Sequence, residues 1–352
     1  MLDNLENIKK IDKSGMLDAL EKFPDQIIKT EEIINNTDLQ NLYKIDNIIV
    51  SGMGASGISG DILQSLFIDK MDIPIYVTRN YELPKWANKN TLLFSQSYSG
   101  NTEETLHTFK HGCQKKCKII GISSGGKLLE YCKKREIPHI KIPSGFQPRA
   151  ATAYTLFSVL RSLKKVGLIQ NFIESEIKET LDVVKEFRYK NNLKVSIEEN
   201  LGKKIAQKIH NTIPQIYSWK FYTPIARRWC QQLNENSKII CRYDEVPECN
   251  HNDIVGWSSN PEISKYFSCI LFRDESEESV YLTKRLNFMK EFYEDITSNL
   301  IDIHILGKKR LAKMMYTMYL GDYISCYLAI LRKIDPTPVA AISELKNELS
   351  KI

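Results

Sequence analysis

Three hydroxyls fall within six residues at Ser97, Ser99 and Thr102, in the run Ser95-Gln96-Ser97-Tyr98-Ser99-Gly100-Asn101-Thr102-Glu103-Glu104-Thr105. An apolar strand precedes the run and a helix opens within it. Short hydroxyl donors beside the free amides and the positive dipole end of a helix make a cradle for a phosphomonoester. A helix cap needs one such hydroxyl, not three with a glycine among them. A second loop, Gly52-Met53-Gly54-Ala55-Ser56-Gly57, matches G-x-G-x-x-G between a strand and a helix, the pattern of a dinucleotide site. That site wants an acidic residue closing the next strand to hold a ribose. Here Ile75-Tyr76-Val77 is followed by Thr78-Arg79. A nicotinamide-dependent oxidoreductase therefore rests on the glycines alone. The loop suits any phosphate or sugar oxygen equally well, or a tight turn with no ligand.

Four further side chains could move protons or hold negative charge. Glu235 lies between Asn234 and Asn236, whose amides can hydrogen-bond and orient a carboxylate base. His251 follows 16 residues later between Asn250 and Asn252, with a ring that donates and accepts near neutral pH. Arg149, after Pro148, offers a cation to a developing oxyanion, and Lys346 sits near the C-terminus. Each has a plainer alternative: a solvated helix-end carboxylate, a surface histidine, a surface cation, a tail lysine. His107, His111, Cys113 and Cys117 invite a metal reading, since the histidines are spaced i, i+4. The competing reading is a solvated helix face followed by a strand at Cys117.

The elements that must position these groups can be read from the apolar pattern. Strands are expected at Asn47 to Val50, Ile73 to Val77, Thr91 to Phe94, Lys118 to Ile122 and His139 to Ile142, with a helix from about Ile58 to Phe67. Helical segments fill about Ile169 to Ile209. A second set of strands follows at Gln215 to Tyr217, Ile239 to Cys241, Ser268 to Phe272 and Ile301 to Ile305. Helices are expected over Pro224 to Leu233, Glu277 to Phe292, from Leu311, and after Pro338. Apolar strands alternating with helices imply parallel sheets covered on both faces, whose ligands bind beyond the carboxyl ends of the strands. The fold class is α/β, with two successive units of similar rhythm: residues 1–165, an N-terminal helical region plus the first sheet, and residues 166–352, the second sheet with C-terminal helices.

Composition agrees. The chain has 352 residues, 42% hydrophobic and 26% charged, with a net charge of +6 spread along its length. No long basic run of the kind nucleic-acid arms carry is present. The N-terminus lacks the basic and apolar regions of a signal peptide. The apolar stretch Met314 to Leu331 is interrupted by Gly321 and Asp322 and ended by Arg332, so it reads as a buried helix. These features point to a cytoplasmic protein without membrane or nucleic-acid partners.

The run Ser97 to Thr105 resembles the phosphate-binding loop of sugar isomerase (SIS) domains. Further stretches resemble one branch of that superfamily, the bifunctional phosphoglucose/phosphomannose isomerases. They are Gly52-Met53-Gly54 with Ser56-Gly57; Gln147-Pro148-Arg149-Ala150-Ala151; Asn234-Glu235-Asn236-Ser237-Lys238; Pro247-Glu248 with Asn250-His251-Asn252; Tyr327-Leu328-Ala329; Asp335-Pro336-Thr337-Pro338-Val339; and Leu345-Lys346. The resemblance implies two SIS-type, flavodoxin-like parallel-sheet sandwich subdomains with flanking helices. It implies metal-independent interconversion of fructose 6-phosphate with glucose 6-phosphate and mannose 6-phosphate, with no cofactor. Ala55, Ser56, Ser97, Ser99, Thr102 and Arg149 would bind substrate. Glu235 would transfer the proton, His251 open the ring, and Lys346 assist at the ring oxygen. The resemblance also implies a homodimer, with His251 supplied across the interface. A family threonine that helps rotate the substrate is not placed, because Thr337 and Ser325 both offer hydroxyls. Departures are Ala55 for a sugar-contacting glycine, Lys333-Ile334 for a glycine turn, and a long stretch between Arg149 and Glu235. An isomerase of another sugar phosphate on this fold, or a non-catalytic sugar-phosphate regulator, remains the alternative.

Overall fold

The computed structural model describes residues 1–40, 42–170, 172–349 and 351. The chain forms two compact units, each drawn from more than one stretch of sequence.

One unit comprises residues 22–185 and 307–315. Its sheet contains β1 (Asn47–Ser51), β2 (Ile75–Thr78), β3 (Thr91–Gln96), β4 (Lys118–Ser123) and β5 (His139–Lys141), all parallel, in the order β2-β1-β3-β4-β5. Central β3 is buried along its whole length, as a strand covered on both faces must be. The strand order reverses between β1 and β3, so the loops after these two strands open at the switch point where such sheets bind ligands. These are the glycine loop and the serine loop. The helix after β1 runs Gly54–Phe67, a full turn earlier than the expected start near Ile58. Gly54 to Gly57 of the glycine loop thus form the first turn of the helix, with Gly52 and Met53 ahead of it.

The other unit comprises residues 1–21, 186–306 and 316–352. Its sheet contains β6 (Ile213–Ser218), β7 (Arg242–Glu245), β8 (Phe267–Arg273) and β9 (Asn299–His304), again all parallel, in the order β7-β6-β8-β9. The strand expected at Ile239 to Cys241 does not form. Lys238 takes a left-handed backbone (φ 56°), and the edge strand starts at Arg242. The core of this unit gathers large aromatic side chains, with Trp219, Trp229, Tyr217, Tyr323 and Tyr327 fully buried. The apolar stretch near residue 320 is the buried helix Arg310–Leu331. Among the described residues, no helix is long and apolar enough to cross a membrane.

Candidate functional site

Ser97 organises the loop after β3. Its hydroxyl accepts from the backbone N–H groups of Gly100 (3.0 Å) and Thr102 (3.3 Å) and lies 2.8 Å from the Thr102 hydroxyl. Ser97 is 1% exposed, whereas Ser99 faces solvent and its hydroxyl accepts from the Asn101 N–H (3.2 Å). Thr102 is the N-terminal cap of the helix Glu103–Gln114, so the hydroxyl cluster sits at the positive end of that helix dipole. The loop is braced by the turn after β4. Ser124 N–H and Oγ both donate to the Tyr98 carbonyl (2.9 and 2.7 Å), and the Lys127 N–H donates to the Asn101 side chain (3.0 Å). Gly100 makes this brace possible. Its φ is +74°, and a Cβ there would lie 1.8 Å from the Gly125 carbonyl oxygen.

The glycine loop joins the same neighbourhood through Ser59. Its hydroxyl donates to the Ser56 carbonyl (2.7 Å) and meets the Gln96 side chain at the end of β3 (3.3 Å). Ser56 is buried and Ala55 half-buried. Arg79, which stands where a dinucleotide site would have an acid, is ion-paired with Asp61. Tyr98 carries the serine loop's order on toward Arg149, because its hydroxyl donates to the Pro143 carbonyl (3.1 Å) and accepts from the Phe146 N–H (2.9 Å). Arg149 lies in the short 3-10 helix Pro148–Ala150 and is 4% exposed.

In the other unit, Glu235 lies on a π-helical turn, Leu233–Ser237, that continues the helix Thr223–Gln232. Glu235 is half-buried, while Asn236 and Ser237 are fully buried. π-helical turns interrupt the regular ladder and recur at functional positions. The Lys238 ammonium closes this one, donating to the carbonyls of Glu235, Asn236 (3.3 Å) and Pro336 (3.0 Å). Below the turn, the Ser325 hydroxyl accepts from the Asn236 side-chain amide (2.9 Å) and donates to the Asp322 carbonyl (2.7 Å). Ser325 is 0% exposed, so its hydroxyl is enclosed by protein. Nothing local in the sequence marks this support, because its two sides lie about ninety positions apart.

His251 ends the 3-10 turn Glu248–His251 and is exposed. Its asparagine neighbours serve the local fold: Asn252 caps the helix Asp253–Ser259, and Asn250 accepts from Arg285 (3.3 Å). The unit does not bring His251 beside Glu235. The chain leaves the carboxyl end of β6, returns along the helix and the Glu235 turn, and enters β7 at its amino end. Glu235 thus belongs to the amino edge of the sheet and His251 to the carboxyl edge. Lys346 is exposed on the helix Ala340–Leu349. His107, His111, Cys113 and Cys117 serve packing. His107 meets the Tyr81 ring edge-on, His111 Nδ1 accepts from the Leu83 N–H (3.1 Å), and both cysteines lie against the apolar cluster around Phe109. Among the described residues, no three metal-binding side chains gather.

Comparison with known proteins places the chain in one lineage. Residues 198–349 match the family described as the bacterial phospho-glucose isomerase C-terminal SIS domain. A protein of Caldicellulosiruptor bescii named bifunctional phosphoglucose/phosphomannose isomerase is 39% identical over 96% of this chain and 99% of its own length. A protein of the same name from Aquifex aeolicus is 35% identical over 89% of this chain and 93% of its own. Among solved structures, a glucose-6-phosphate isomerase like protein from Thermus thermophilus covers 97% of this chain and 99% of its own, at a TM-score of 0.63 and 17% identity, a likeness of fold. Identity at the level of the first two relatives, sustained along nearly the whole of both chains, reflects common descent, and this chain belongs to the bifunctional phosphoglucose/phosphomannose isomerase family.

Proposed function

We propose that the chain interconverts fructose 6-phosphate with glucose 6-phosphate and mannose 6-phosphate by acid–base chemistry through an enediol. The observation that carries this reading is Glu235: a half-buried carboxylate on a turn whose backbone is tied down on both sides, in a chain that also holds a hydroxyl cradle at a helix N-terminus. A base that carries one proton between two adjacent carbons needs that fixity.

In this reading Ser97, Ser99, Thr102 and the neighbouring amides hold the phosphate, and Ala55 and Ser56 line the sugar. Arg149 offsets negative charge on the enediolate. His251 moves the proton that opens the ring, and Lys346 assists at the ring oxygen. Glu235 then takes the proton from C1 of the open ketose and returns it to C2. Glucose and mannose 6-phosphates differ only at C2 and collapse to the same enediol, so one base reprotonating either face yields both. The route moves protons only and calls for no metal. The active form is a homodimer in which His251 serves the partner's site. Two features support that arrangement. Glu235 and His251 occupy opposite edges of one sheet, and the helices beside His251 expose apolar side chains, with Val255 64% and Phe288 56% accessible. The protein works in the cytoplasm.

The deciding experiment is a chelated assay on fructose 6-phosphate that resolves both aldose products, with Glu235→Gln as control. Both products are expected from the wild type, and a loss of roughly 10²–10⁴-fold in kcat from the variant. If neither product forms, an isomerase of another sugar phosphate or a non-catalytic sugar-phosphate regulator takes its place.

A further inference from the structure

The helix that ends in the Glu235 turn is fastened to one turn of the buried helix Arg310–Leu331 at two points. At the first, Arg228 meets the Asp322 carboxylate through two parallel hydrogen bonds (3.1 Å each), with Arg228 1% and Asp322 2% exposed. At the second, Ser325 takes both residues that follow Glu235. Its hydroxyl accepts from the Asn236 amide (2.9 Å), and its carbonyl accepts from the Ser237 hydroxyl (2.6 Å). Beside the first point, Trp229 donates its ring N–H to the Thr317 carbonyl (2.8 Å) and lies over Gly321, where a Cβ would come within 2.2 Å of the ring nitrogen. The interrupting residues of the apolar helix, Gly321 and Asp322, are thus the seat of this attachment.

We propose that Ser325 is a positioning residue for the Glu235 base, acting through Asn236 and Ser237 without touching substrate. The proposal rests on Glu235 being the base. Its burial and its two engaged oxygens leave it no route to substrate, while the turn it holds is the one that aims the carboxylate. A misplacement of about 1 Å at a reacting group can cost about 10²-fold in rate, so loosening this seat lowers kcat more than it lowers affinity.

The test compares Ser325→Ala with Tyr319→Phe, which removes another buried hydrogen bond of the same helix, to the Leu20 carbonyl (2.8 Å). Ser325→Ala is expected to lower kcat roughly tenfold, leave KM within about twofold, and add little to the loss from Asn236→Ala in the double variant. Tyr319→Phe is expected to lower thermal stability comparably and leave kcat unchanged. Hydrogen exchange at residues 233–238 is read in parallel, and is expected to accelerate in Ser325→Ala alone. Unchanged exchange there, or a kcat equal to that of Tyr319→Phe, overturns the proposal. A wild type that isomerises nothing overturns the assignment of the base instead, and the exchange result still decides whether Ser325 holds the turn.

A separate observation concerns the ends of the same segment. The thiols of Cys230 and Cys241 are hydrogen-bonded at 3.0 Å, Cys230 being buried and Cys241 half-buried. They bracket residues 231–240, which include Glu235. We infer that this pair is a reversible oxidation site that restrains the turn, with a hydroperoxide as oxidant. The Cys241 sulfur, as thiolate, attacks the peroxide oxygen and becomes a sulfenic acid. The Cys230 sulfur then displaces that oxygen as water, so two thiols and one hydrogen peroxide give one disulfide and two waters. Burial and contact with Cys230 hold the Cys241 thiol well above its ordinary pKa, which makes the reaction slow and favours the disulfide once formed. Bonding draws the sulfurs together by about 1 Å.

Trypsin cleavage after Arg228, Lys238 and Arg242 separates the two cysteines. Peroxide treatment of the whole protein is expected to join peptides 229–238 and 239–242, to slow exchange at residues 233–238, and to lower kcat roughly tenfold. Dithiothreitol reverses all three, and Cys241→Ser is immune. Absence of the joined peptide, or its presence with unaltered exchange, refutes the inference.

Discussion

Gly100 shows how much of a binding loop can depend on an absent side chain. Its left-handed backbone and the Gly125 carbonyl 1.8 Å from any added Cβ leave no room for alanine. Gly100→Ala is expected to destabilise the protein by upwards of about 2 kcal/mol. It should raise KM for sugar phosphate while Glu235-dependent chemistry persists in the remaining folded molecules. A melting curve and a substrate titration check this, and a variant with unchanged KM would refute the brace between the two loops. The hydroxyl cluster was legible in the sequence because its members are neighbours along the chain. The support under Glu235 was not, because Asn236 and Ser325 meet only through tertiary packing. One trace did exist: a charge at Asp322 inside an apolar helix demands a buried partner, and Arg228 is that partner.

At the scale of elements, the buried parallel strands announced themselves as runs of Ile, Leu and Val, and their order of appearance was readable. β7 was not, because an edge strand carries charge where a central one carries apolar side chains, and Arg242–Glu245 reads RYDE. The neighbouring Ile239 and Ile240 mimicked a strand from just outside it. An edge strand of the other sheet carries a titration. His139, on β5, meets the Ser123 hydroxyl (2.8 Å). Burial, then Lys133 and Lys141, push its pKa down from 6.5 to about 4. Between these values the unfolded chain binds a proton that the folded chain does not, so stability falls as pH drops from about 6.5 toward 4. Between pH 7 and pH 5 the wild type should lose roughly 1–2 kcal/mol more than His139→Gln. Denaturant midpoints at the two pH values measure it, and equal losses would contradict the buried neutral histidine.

At the scale of the whole molecule, the proposal that His251 works in its partner's site makes an arithmetic prediction. Glu235→Gln and His251→Ala protomers are each expected to be inactive alone. Mixed and allowed to exchange, they should regain about a quarter of wild-type activity, since half the dimers are hybrid and each hybrid has one intact site. No recovery in mixtures shown to exchange would place both groups in one protomer. The discontinuous make-up of the unit that holds Glu235 was beyond reach of the sequence. It depends on contacts such as Asp3 with the Ile197 N–H (2.9 Å) and the Lys203 ammonium (3.1 Å), 194 and 200 positions away. That feature bears on synthesis. Residues 1–21 are made before the rest of their unit and carry Ile8, Leu17 and Leu20, all of them buried in the finished protein. At translation rates of roughly 5–20 residues per second, the residues near position 200 that Asp3 contacts emerge roughly 10–40 s later. Throughout that interval this nascent segment presents an unburied apolar surface, which is the kind of client a ribosome-associated chaperone holds.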